Sequence, residues 1–232
     1  MDDPRYDGPI AIEGPSAASR ARFVMRTYGH LLGAIFSFIA LEVFLFRSGL
    51  AGHILRGVIS VGWLPFLGGF LIVGWLASRV AHASVSLPAQ YAALAGYVIV
   101  EAVIFVPLIA YADYYGKAGV VPSAALVTAM GFTGLSGVVY MTRKDFTFLG
   151  GILRWAGIVA LLAIVSGVIF GFELGTFFSV GMVAFAGAAV LYDTSNILHH
   201  YPEDRYVGAS LELFASIALM FWYVLRLFLS RD

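Results

Sequence analysis

Residues 188 to 196 read Ala-Ala-Val-Leu-Tyr-Asp-Thr-Ser-Asn, and they set an ionisable side chain, Asp193, inside a largely apolar run from Leu174 to Leu198. A carboxylate in a membrane helix costs about 3 kcal/mol or more unless it is paired, hydrated or protonated, so such a residue marks a candidate functional site. The reading as membrane rests on the whole chain. Its 232 residues are 60% hydrophobic and 12% charged, with a mean hydropathy of +0.89. Repeated apolar runs of ~20 residues are the mark of membrane helices, not of soluble domains. Fourteen basic and fourteen acidic side chains cancel, and no basic stripe of the kind nucleic acid requires is present. The chain has no cysteine, which excludes disulfides, thiolate catalysis and cysteine-ligated metals.

Working outward from Asp193 gives seven spans: Phe23–Phe46, Gly57–Ala77, Ala89–Ala112, Gly119–Met141, Leu149–Phe170, Leu174–Leu198 and Gly208–Leu229. Each is long enough to cross ~30 Å of hydrocarbon at about 1.5 Å per residue. The connections are short and none divides the chain. The expected architecture is therefore all-α and integral to the membrane, with a polar amino-terminal tail over residues 1–22 and a single seven-helix domain over 23–232. The tail lacks the short apolar core and cleavage site of a signal peptide, so the first span serves as the uncleaved targeting signal. Pro65 with Gly62, Gly68, Gly69 and Gly74 predicts a kinked second span.

Lys and Arg near the span ends set the orientation. With the amino terminus inside, the inner side holds Arg5, Arg20, Arg22, Arg26, Arg79, Arg143, Lys144, Arg154 and Arg205. The outer side holds Arg47, Arg56, Lys117, Arg226 and Arg231. Nine against five favours a cytoplasmic amino terminus.

On this topology Asp193 and Glu212 lie at similar depth near the inner face, Glu101 near the middle of the third span, and Glu42 in the outer third of the first. If they face one interior, they form a descending series of carboxylates suited to a cation or proton path, since hard oxygen ligands replace an ion's water. The competing reading is that each acid only bonds a neighbour and fixes helix packing. Glu212 shares a helix face with Gly208, Ala209, Ala215 and Ser216, which reads as interior. Arg79, Arg143 and Lys144 are basic partners at the inner level, while His199 and His200 read as interfacial bystanders. A phosphate loop, a nucleophile elbow and a His-Glu-x-x-His zinc site are all absent from the sequence, so an enzyme is not expected, and neither is a cofactor.

The stretches Ala125-Leu126-Val127-Thr128-Ala129-Met130-Gly131-Phe132, Thr142-Arg143-Lys144-Asp145-Phe146 and Leu191-Tyr192-Asp193-Thr194 resemble the Bax inhibitor-1 family, which includes the bacterial YccA-like and YetJ-like membrane proteins. Val100-Glu101-Ala102 with Pro107-Leu108, Leu225-Arg226 and the final Ser230-Arg231-Asp232 fit the same pattern. The resemblance implies a seven-helix fold in a bacterial inner membrane, with the last helix central and wrapped by the other six. It also implies a pH-sensitive calcium leak in some members and restraint of a membrane-bound AAA protease in others. Leak members carry one aspartate in the sixth helix and one in the seventh, with an arginine ending the second as an alternative partner. Asp193 matches the first aspartate and Arg79 corresponds to the arginine. The second aspartate falls on Ser216, and an asparagine one turn later falls on Leu219.

Two functions follow from the sequence. The first is a calcium or proton leak in the bilayer, with Asp193 as the gate and a transient calcium contact, Glu212 and Ser216 modulating it, Glu101 lining the path and Arg79 competing for the acid. The second is a non-conducting regulator whose tail is presented to a membrane-bound AAA protease. A proton-coupled transporter would show internal inverted repeats, and none is evident.

Overall fold

The computed structural model describes residues 17–82 and 86–230. Most of the tail, residues 1–16, and the terminal Arg231-Asp232 of the resemblance lie outside these. Among the described residues the chain is helical throughout, in eight α-helices: α1 Ala17–Arg47, α2 Leu50–Val61, α3 Trp63–His82, α4 Leu87–Tyr115, α5 Val120–Thr142, α6 Leu149–Phe170, α7 Gly175–His199 and α8 Tyr206–Leu229. A 3₁₀ turn, Glu203–Arg205, leads into α8. Six helices are long and apolar enough to cross a membrane: α1, α4, α5, α6, α7 and the segment Glu203–Leu229 that contains α8. Leu50–Val61 and the apolar stretch Leu67–Val80 of α3 are shorter.

The region expected as one kinked span is two helices. Gly62, at φ 89° and ψ 160°, separates α2 from α3, a conformation essentially reserved for glycine. Pro65 falls in the first turn of α3, where its missing N–H has no partner to lose. The segment expected as a loop, Arg47 to Arg56, is consequently largely the first half of α2.

Lipid tails are as apolar as leucine, so helices in a bilayer associate through close packing and interhelical hydrogen bonds. Here α8 packs against α1, α3, α4, α5 and α7. Ala186 and Val190 of α7 and Ala124 of α5 close on Val224 and Leu225 of α8, all buried. On the other side Leu31 of α1 and Tyr97 of α4 pack with Leu213 and Phe214. Gln90 Oε1 accepts a bond from the Gly208 backbone N–H at 3.2 Å, which aligns the first turns of α4 and α8. By contrast α6 buries only Ala160 and Gly167, and beside it the bundle is hollow.

Candidate functional site, a carboxylate-lined cavity

A cavity of about 740 Å³ is bounded by α3, α4, α6, α7 and α8. Glu101, Asp193 and Glu212 all line it, and so do Tyr97, Tyr192 and Ser216. Counting from the Gln90–Gly208 bond, Glu212 lies about 6 Å along α8 and Glu101 about 16 Å along α4. Glu212 and Glu101 therefore stand at successive depths. Toward the opposite end the lining includes Arg226 and Glu173. The remaining walls are mostly apolar, with Leu67, Leu71, Ile164 and Trp222 among them.

Each acid has a hydroxyl partner. Ser216 Oγ donates to Asp193 Oδ2 at 2.5 Å, joining α8 to α7. Ser78 Oγ donates to Glu212 Oε1 at 3.2 Å, joining α3 to α8. The Tyr97 phenol, one turn before Glu101 on α4, hydrogen-bonds to that acid. Hydroxyls satisfy a buried acid without fixing its charge, whereas an arginine would hold it ionised. Close approach of α6 supports the wall at Tyr192: a Cβ on Gly150 would stand 2.8 Å from the Tyr192 ring.

Of the residues singled out in the sequence, Asp193, Glu212, Glu101 and Ser216 are thus gathered in one cavity. Arg79 is placed elsewhere: its guanidinium lies 4.7 Å from the Trp75 ring centroid, and it does not line the cavity. Its neighbour Ser78 provides the contact from α3. Glu42 also stays outside the cavity lining, buried on α1 with both carboxylate oxygens lacking a hydrogen-bond partner among the described residues.

Two further groups had not been singled out. Tyr201, in the α7–α8 connection, is buried and stacks on Phe23 at 6.3 Å. Burial, with Glu212 and Asp193 nearby, pushes its phenol well above the usual tyrosine range. Its carbonyl accepts Arg20 Nη1 at 2.6 Å, so the start of α1 is tied to the connection beside the two acids. The second group is Asp145 in the α5–α6 connection. His200 Nε2 donates to its Oδ2 at 2.9 Å, and Ser195 Oγ donates to its Oδ1 at 3.3 Å while accepting the Phe146 N–H at 2.8 Å. Hydrogen bonds from the Thr147 hydroxyl and from His200 hold the Asp145 carboxyl well below its ordinary value. His200 thus has an acidic partner at the interface, outside the cavity lining. In the sequence Asp145 directly follows the basic pair Arg143 and Lys144, whose charge is the more conspicuous feature.

The family described as Inhibitor of apoptosis-promoting Bax1 (Bax1-I) matches residues 20–232. An uncharacterized Pseudomonas aeruginosa protein, PA2604, is 38% identical over 112 residues, covering 47% of this chain and 49% of its own. Human Bax inhibitor 1 is 27% identical over 197 residues, covering 82% and 81%. The Escherichia coli protein named Modulator of FtsH protease YccA is 33% identical over 120 residues, covering 50% and 54%. The matched part thus spans about half the length of PA2604 and of YccA and about four-fifths of human Bax inhibitor 1. These names describe an inhibitor and a modulator, not enzymes. Because the family match runs from residue 20 to the last residue, this multi-pass membrane protein belongs to the Bax1-I family.

Proposed function

We propose that the protein is a pH-sensitive cation leak of the inner membrane, with calcium as the permeant ion and Asp193 as the gate. The observation that carries this is the single cavity in which Glu212, Asp193 and Glu101 stand along the bundle. In this reading α3 is the seventh span, α8 is the central helix wrapped by the others, and the amino terminus is cytoplasmic. Tyr201 and Arg20 then close the cytoplasmic end. Calcium takes six to eight oxygen ligands, and among the described residues no three acidic or imidazole groups are grouped to hold a metal. Asp193 accordingly offers a transient contact to a passing ion. Releasing the Ser216 hydroxyl frees Oδ2 for that contact. Glu212, one turn before Ser216 on α8, supplies a second carboxylate where the family pattern has an aspartate at Ser216.

Calcium entry into proteoliposomes at pH values from about 6 to 8 tests the reading. Wild type is expected to conduct with a pH dependence that Asp193→Asn removes and Glu212→Gln weakens. Folded wild-type protein that carries no flux at any of these pH values, or an Asp193→Asn variant matching wild type, would overturn it.

The name of the YccA relative, a modulator of FtsH protease, favours a second reading, a regulator that binds a membrane-bound AAA protease through its polar tail. Deleting residues 1–16 distinguishes the two. Loss of a protease-dependent phenotype with flux intact supports the regulator, whereas loss of flux alone supports the leak.

A further inference from the structure

The cavity is larger and more apolar than an inorganic ion needs. Its far end is marked by Arg226, fourteen residues beyond Glu212 on α8, so it runs about 21 Å along that helix. One leaflet's hydrocarbon is only about 15 Å deep. Two of its walls, Leu71 on α3 and Val168 on α6, are 40% and 39% exposed. Both residues therefore reach the cavity and the outer surface that a bilayer would cover, which is the side from which an amphiphile would enter from lipid without crossing water. The charged lining is unequal, with four carboxylates, Glu101, Glu173, Asp193 and Glu212, against the one guanidinium of Arg226.

We propose that this cavity binds a long-chain amine, its ammonium seated among Glu212, Asp193 and Glu101 and its alkyl chain lying along the apolar wall toward Trp222. Charge complementarity selects the head group, because an ammonium donates three hydrogen bonds to acceptors that are carboxylates. The apolar walls accommodate the chain as lipid tails do, so the preference over the bilayer comes from the head group. A fatty acid would have to set its carboxylate at Arg226, the one guanidinium in a lining that holds four carboxylates, and meets fewer complementary groups. The site is independent of whether ions pass, since binding needs no gradient.

The test uses the full chain in nanodiscs with Trp222 as the sole tryptophan, through Trp63→Phe, Trp75→Phe and Trp155→Phe. The probes are a long-chain amine brominated along its chain and the alcohol and carboxylate of the same chain, with quenching of Trp222 as the readout. Saturable quenching by the amine, about tenfold tighter than by either comparison probe, is expected, and Glu101→Gln with Glu212→Gln should bring the amine to the level of the alcohol. Unsaturable quenching, equal affinity for the three head groups, or tighter binding of the carboxylate overturns the proposal. The unfolding temperature of the unsubstituted protein in detergent gives a readout that does not depend on any variant folding. It should rise with the amine at concentrations where the alcohol has no effect, and an equal rise with both counts against the site.

Discussion

Ser216 and Asp193 show how one hydroxyl serves a buried acid. Interhelical hydrogen bonds in membranes average ~0.6 kcal/mol and bonds to ionised groups reach about 1.5–3 kcal/mol. Ser216→Ala is therefore expected to lower the unfolding free energy in detergent by about 1 kcal/mol, with Ser216→Thr close to wild type; no loss in the alanine variant would mean that the 2.5 Å bond contributes nothing. Asp145 carries a pH signature. Its carboxyl is held below its ordinary value of 3.8 by Thr147 and His200, so the stabilisation is complete above 3.8 and disappears as pH falls through the lower, folded-state value. Asp145→Asn should lower the unfolding temperature at about pH 7, and the gap should narrow progressively once the pH falls below 3.8. A gap that closes nearer neutrality contradicts the assignment. Asp193, Glu212, Glu101 and Ser216 were legible because an acid in an apolar run is conspicuous, and the helical period says which residues share its face. Tyr97, Ser78 and Tyr201 were not. A tyrosine or serine is ordinary at a membrane interface, and only the packing of α3 and α4 on α8 brings these hydroxyls to the acids.

At the scale of elements, the break between α2 and α3 rests on one residue. Gly62 holds φ 89° and ψ 160°, a region that costs other residues about 1–3 kcal/mol. Gly62→Ala should destabilise the protein by that amount, while Gly57→Ala, inside α2 with open space around its added Cβ, should be neutral or stabilising; equal effects would argue against a break at Gly62. Gly150→Ala makes a second test, because its Cβ would stand 2.8 Å from a Tyr192 ring atom. The Tyr192 ring, which lines the cavity, must shift, and the expected readout is altered flux with little change in helix content by circular dichroism. The second span misled because apolar composition registers length but not breaks. Gly62 and Pro65 were visible as helix weakeners, yet whether they bend a helix or end one depends on a backbone conformation that the residue types permit without requiring. Five of the other six spans were legible to within three residues, with glycines at positive φ punctuating them at Gly119 before α5 and Gly171 after α6, while α1 begins six residues before the span read at Phe23.

For the whole molecule, hydropathy conveyed the class but not the hollow. A cavity forms where α6 buries little and stands off from α8, and α6 reads as the same kind of apolar helix as its neighbours. Glu42 shows the limit of reading depth from sequence. It belongs to the same descending series by position, yet it lies on α1, away from the cavity lining. The absence of cysteine makes the central claim directly measurable. Ala189 lines the cavity one turn before Asp193, and Ala189→Cys creates the only thiol in the chain. Its reaction rate with membrane-impermeant cationic and anionic thiol reagents should be compared in proteoliposomes. A cation path gated at Asp193 predicts that the cationic reagent reacts faster by about tenfold, and that Asp193→Asn removes the preference. Labelling only by a neutral, lipid-soluble reagent, or equal rates for both charges, would contradict it.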